Sequence, residues 1–206
     1  AGMDEMSLNV IASPMQNVRD AFDLMPQDTD DHWRTIATRM AKVPAALEQY
    51  AASLTLARSR GDVAPRRQVD ACVVQCRDLT DDDGYFVKLV AGAKAGDAEL
   101  DPAVKSDLAV AAEAARAAYG RLGDFLETEL APVAPEADAC GRERYALHSR
   151  DFVGAVVDLE ETYRWGQEEL ARITAQMQEV AEQVKPGATI EEAIAILNAD
   201  PAYRLD

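Results

Sequence analysis

Aromatic residues are scarce in this sequence, 6% of its 206 positions, and histidine occurs only twice. Few aromatics argue against a β-sandwich or barrel, whose strands want aromatic and β-branched side chains. Alanine supplies much of the 48% hydrophobic content, which suits closely packed helices. The histidines, His32 and His148, begin none of the helical metal motifs. H-E-x-x-H puts two imidazoles on one helix face at i and i+4, and neither His32-Trp33 nor His148-Ser149 starts it. A di-iron bundle needs paired E-x-x-H motifs, but Thr29 and Tyr145 stand three residues before the histidines. Walker, G-x-G-x-x-G and G-x-S-x-G loops are absent as well.

Cysteine is sparse and irregular: Cys72, Cys76 and Cys140 make no disulfide framework, which points to a reducing, cytoplasmic setting. No apolar run approaches the ~18 residues of a membrane span. The first residues, Ala1 to Glu5, have neither a basic n-region nor an apolar h-region. Basic residues are outnumbered, 21 against 37 acidic ones, for a net charge of −16. That balance excludes nucleic acid as a partner and docking on an anionic membrane, since both need clustered Lys and Arg.

What is present is helical. Leu159, Tyr163, Gly166, Leu170, Ile173, Met177, Val180 and Val184 recur with gaps that alternate four and three, an a/d seam containing one small residue. Asp158 caps this helix, and Lys185-Pro186-Gly187 ends it. At 1.5 Å per residue it is roughly 40 Å long. The expected fold is all-α: a multi-helix bundle whose long central helix, about 158–184, packs against long antiparallel helices in a single domain over 1–206. Leu170 and Ile173 are expected to be nearly fully buried.

Other helices announce themselves by their starts. Ser13-Pro14 opens a short one to about Leu24, Thr29 caps a second, and Pro44 opens a third that Gly61 ends. Pro65 opens a fourth carrying Val69, Cys72, Val73, Cys76 and Leu79. A short helix follows around Tyr85–Val90, and Asp101-Pro102 begins a long one reaching Leu126 or Leu130, its last third weakened by Gly120 and Gly123. Another short helix spans 141–149, and Thr189 with Glu192 boxes a last one. Asp200-Pro201 repeats the Asp-Pro start with only five residues after it, so the natural protein is expected to continue.

Three groups could carry chemistry. Cys72 and Cys76, one turn apart, read as small core residues or as half of a metal site. Arg66-Arg67 opposes the dipole at a helix start, which calls for a carboxylate: a side chain of this acidic protein, or a ligand. Arg144, Tyr145 and His148 form the cluster of most varied chemistry. They make a half-buried aromatic contact with Phe152 or line a substrate cleft.

Three stretches carry a resemblance. They are Ala12-Ser13-Pro14 leading to Ala21-Phe22-Asp23-Leu24-Met25-Pro26; Ala64-Pro65-Arg66-Arg67-Gln68-Val69; and Gly141-Arg142-Glu143-Arg144-Tyr145 with Asp158-Leu159-Glu160-Glu161-Thr162-Tyr163 and Trp165-Gly166-Gln167-Glu168-Glu169-Leu170. Together they resemble the bacterial domain-of-unknown-function family 885, grouped with helical zinc metallopeptidases of the H-E-x-x-H superfamily. The likeness runs over most of the chain and falls on the N-terminal half of such proteins. It implies a non-catalytic helical portion of a zinc-dependent peptidase or carboxypeptidase, a hydrolase, walling a peptide-binding cleft. The implied partners are the remainder of the parent chain and, for the parent, a peptide. Zinc is implied for the parent and no cofactor for this chain, which is expected to be inactive alone. A competing reading is a self-contained acidic helical module that pairs through its seam.

Overall fold

Helix-start chemistry sets most element boundaries. The computed structural model describes residues 8–203, so the leader reading of Ala1 to Glu5 lies outside the described residues. α1 (Pro14–Asp20) opens on a reciprocal capping box between Ser13 and Gln16. α2 (Asp30–Met40) starts where Thr29 accepts the His32 N–H, and α3 spans Val43–Ser59. α4 (Arg66–Thr80) and α5 (Tyr85–Ala91) follow. Asp101 caps α6 (Pro102–Phe125), which runs on through a π turn, Leu126–Leu130, and a 3-10 turn, Ala131–Val133. α7 (Arg142–Val153), α8 (Leu159–Val184) and α9 (Ile190–Ala199) complete the order, with a 3-10 turn at Pro201–Tyr203. The all-α reading holds. Among the described residues no helix is long and apolar enough to cross a membrane.

α1 stops at Asp20, earlier than the expected Leu24, and the turns that follow place Phe22 in the core while Leu24 stays exposed. The chain divides into two compact units, Ala1–Ala139 and Cys140–Asp206, where the sequence suggested one domain.

α6 organises the first unit. It packs against α2, α3, α4 and α5, and its buried stripe takes in Val104, Leu108, Ala111, Ala112, Ala115, Ala118, Tyr119 and Leu122. Four alanines in that stripe let neighbouring backbones come close. Gly123 marks one such approach: a Cβ there would lie 3.1 Å from Cys76 Cβ on α4. The glycine therefore serves packing rather than weakening the helix. Phe86 is fully buried, with its ring 6.3 Å from Phe22 and 5.7 Å from Tyr119. The polar tips of the large aromatics are matched: the Tyr119 hydroxyl donates to Met15 O at 2.7 Å, and Trp33 Nε1–H is shared by Gln27 O and Lys94 O.

In the second unit α8 packs along α9. Among its described residues only Ala181, Ala188 and Ala193 are buried. The α8–α9 turn is held by Gln178 Nε2–H donating to Ala188 O at 2.8 Å and by the Glu182 carboxylate accepting the Gly187 N–H at 3.0 Å. The seam is not core. Leu170 is 61% exposed and Ile173 41%, overturning the expectation of burial, and Tyr163 and Trp165 are open at 68% and 62%. The reason is coverage. Heptad spacing identifies which side of a helix is apolar, and ten-residue α9 reaches only the stretch of α8 from Ile173 to Val184.

Candidate functional site

The most apolar concavity of the second unit grows from two capped helices. Asp158 fixes the start of α8 by accepting the Glu160 and Glu161 N–H groups at 2.9 and 3.0 Å, and these bonds hold its carboxyl below the usual carboxylate range. Thr189 and Glu192 fix the start of α9 in a second reciprocal box. Between the helices lies a groove of about 290 Å³. Ile173, Met177 and Val180 line one wall, and Ile190, Ile194 and Leu197 the other. It contains no titratable side chain, so it can bind apolar surface and cannot itself move a proton. Toward the N-terminus the exposed seam of α8 continues it through Leu170 and Gly166 to Tyr163.

Arg144, Tyr145 and His148 lie on α7, all exposed, within little more than one helical turn. The half-buried aromatic contact with Phe152 does not form, since Phe152 is 93% exposed. An Arg142–Glu160 ion pair ties α7 to the first turn of α8. These residues bring a guanidinium, a phenol and an imidazole onto one surface, chemistry suited to binding a carboxylate and a polar backbone.

The other candidate groups serve the fold. Cys72 and Cys76 are fully buried between α4 and its neighbours, as the core reading has it. Burial pushes their thiols up, to about 11 and about 12, and Cys72 Sγ–H donates to Asn9 O at 3.3 Å. Arg66 and Arg67 have carboxylates from the chain itself. Arg66 Nε–H donates to Asp70 at 2.8 Å and its Nη1–H to Ala131 O, and Arg67 pairs with Asp138. They bind the segment after α6 to α4.

The segment before α1 is fastened to the same helix. The Val10 N–H donates to Gln68 Oε1, Gln75 Nε2–H to Val10 O, and Gln16 Nε2–H to both Asn9 O and Gln75 Oε1. A smaller groove of about 220 Å³ beside it is lined by Met15, Arg19, Asp20, Gln75 and Leu79. Its cation is already paired: Arg19 sits 4.0 Å over the Tyr85 ring and bonds Asp20 and Asp23 at 2.8 and 2.7 Å.

The donor set of the described residues does not fit zinc. His32 lies in the first unit, with Nδ1 accepting the Asp28 N–H, and His148 lies in the second. Among the described residues no three His, Cys, Asp or Glu side chains gather as a metal site. Sequence reasoning expected a buried seam and kept an exposed one only for the competing interaction-module reading. The signal was there in Thr162, Gln167, Glu169, Thr174 and Gln176, the helical positions beside the seam, which leave a stripe only as wide as a two-helix contact.

The family model described as "Bacterial protein of unknown function (DUF885)" matches residues 1–206, and the chain belongs to that family. No curated protein matches it. Among solved structures it is similar to one titled "The crystal structure of the putative lipoprotein from Colwellia psychrerythraea", with a TM-score of 0.71 at 15% identity. The match covers 95% of this chain and 36% of that one, so the present chain spans about a third of the similar protein's length. At that identity the likeness is one of fold.

Proposed function

From its place in this family, we propose that the chain is a non-catalytic helical portion of a longer zinc-dependent peptidase- or carboxypeptidase-like protein, walling one side of a peptide-binding cleft. The observation that carries the reading is coverage: nearly all of this chain matches only 36% of a protein of similar fold. The grouping of this family with helical zinc metallopeptidases, implied by the resemblance of its motifs to the family, supplies the chemistry. The metal and the water-activating carboxylate then belong to the parent outside residues 1–206, a reading supported by the lack of any gathered metal-donor set among the described residues, and these residues take no catalytic step. Their part is to bind and orient. Arg144 offers a guanidinium to a peptide carboxylate, and Tyr145 and His148 offer a phenol and an imidazole to its backbone. The partners are then the rest of the parent chain and a peptide, and the three unpaired thiols suit a reducing, cytoplasmic setting.

The test uses the complete reading frame, purified with zinc and assayed on a peptide library before and after chelation. Chelator-sensitive hydrolysis is expected, with Arg144→Lys and Tyr145→Phe raising KM several-fold while kcat changes less. Zinc-loaded full-length protein without hydrolysis, or hydrolysis indifferent to chelation, would overturn the proposal.

A second reading, a self-contained acidic interaction module, draws support from the open Tyr163 and Trp165. It requires seam-mediated association of the 206-residue chain, which light scattering across a concentration series would register.

A further inference from the structure

The seam of α8 is apolar, regular and uncovered along more than half its length, and three features narrow what occupies it. Its spacing is that of a helix contact: residues alternate by four and three from Leu159 to Val184, the register in which a second helix seats its own side chains. Its middle holds Gly166, around which a Cβ would meet nothing within 4 Å. Glycine weakens a helix relative to alanine, and among the described residues no neighbour uses the room it leaves. The indentation is what a closely approaching helix needs. Its helix is acidic: α8 carries six glutamates against two arginines. A second copy of this chain would set this acidic helix against itself, and the chain carries a net charge of −16, so charge favours an occupant flanked by Lys or Arg.

The larger part of the similar solved chain lies outside the region matched here, which supplies a source for such a helix. We propose that the α8 seam and the α8–α9 groove are one internal interface of the longer protein. An amphipathic, basic-flanked helix from the polypeptide outside residues 1–206 fills it. The proposal rests on the reading of the chain as a portion of a larger protein and names the partner of its exposed face. Gly166 is the point of closest approach, Tyr163 and Trp165 border it, and the groove between Met177 and Ile194 takes the occupant's other end.

Hydroxyl-radical footprinting of the complete protein beside the 206-residue chain tests this, with Tyr163, Trp165, Leu170 and Met177 as reporters. In the short chain all four should react freely in a sample that light scattering shows to be monomeric. In the complete protein their oxidation should slow by about tenfold or more, as for groups that react only through local opening. Gly166→Leu should leave the short chain folded with a melting temperature no lower than before, since leucine favours a helix over glycine. In the complete protein it should lower the melting temperature and restore oxidation of Tyr163.

Equal reactivity in both proteins overturns the inference. So does protection in a dimer of the short chain, which would make a second copy the occupant. Protection in its monomer would make the occupant another part of residues 1–206 and is equally fatal. A reading frame confined to these 206 residues removes the proposed function and this interface together. A longer, chelator-sensitive peptidase with a reactive seam removes the interface alone.

Discussion

α6 and α8 are nearly equal in length, 24 and 26 residues, and both begin at an aspartate cap, yet one is the core of its unit and the other lies largely open. The difference is in the width of their apolar stripes. α6 buries positions at i, i+3, i+4, i+7 and beyond, many of them alanine, so that helices reach it from several sides. α8 carries larger side chains in a stripe two positions wide, bounded by glutamate, glutamine and threonine. A broad band of small residues makes a hub. A narrow band of large ones makes a seam for one partner, and large side chains are no guide to which helix is central.

The largest contrast should appear in thiol reactivity. Cys72 and Cys76 face the α6 side of the first unit, fully buried, whereas Cys140 is exposed at the start of the second. Native labelling of the first two should require opening of their unit and run on the order of a thousandfold or more slower than Cys140. Equal rates at all three would break the comparison. The same thiols carry a pH signature. Their folded pKa values, about 11 and about 12, lie above the unfolded value, so the folded state holds the proton more tightly. That stability is full below the unfolded thiol pKa of about 8.5 and declines as pH rises through the folded values. Alkaline denaturation should therefore shift to higher pH in Cys76→Ala relative to its stability at pH 7.

Next in size is truncation of a matched pair of leucines. Leu108→Ala on α6 removes a fully buried side chain and should cost ~2–5 kcal/mol in denaturant titration. Leu170→Ala on α8 of the 206-residue chain should cost under ~1 kcal/mol, as for an exposed position. A large loss at Leu170 would mean that the seam is covered in this chain.

The glycines give the smallest effects and the sharpest one, because the sign differs. Gly123→Ala on α6 sets a methyl 3.1 Å from Cys76 Cβ and should destabilise by ~1–3 kcal/mol. Gly166→Ala on α8 meets no neighbour and should stabilise the 206-residue chain by ~0.4–1 kcal/mol. Thermal melts of both variants read the two signs directly.

Much of this architecture was legible before any fold was seen. Ser13, Thr29, Asp101, Asp158 and Thr189 all cap the helices they announce, because a capping side chain acts on backbone groups two or three residues away. The buried character of Cys72 and Cys76 followed from their spacing with Val69. Arg66 and Arg67 declared the need for carboxylates but not which, since Asp138 lies 71 residues from Arg67. The motifs Ser13-Pro14 and Pro65–Val69 drew notice as family features. Their neighbours Val10 and Gln68 meet in the fold, which makes them fasteners of one unit rather than a site.

Local sequence thus determined the helices, their limits and their apolar sides, all consequences of interactions within a few residues along the chain. Which apolar side is covered depends on residues distant in sequence, and only the tertiary structure decided it. It enclosed the alanine band of α6, used Gly123 for a close crossing, and left the heptad seam of α8 facing outward.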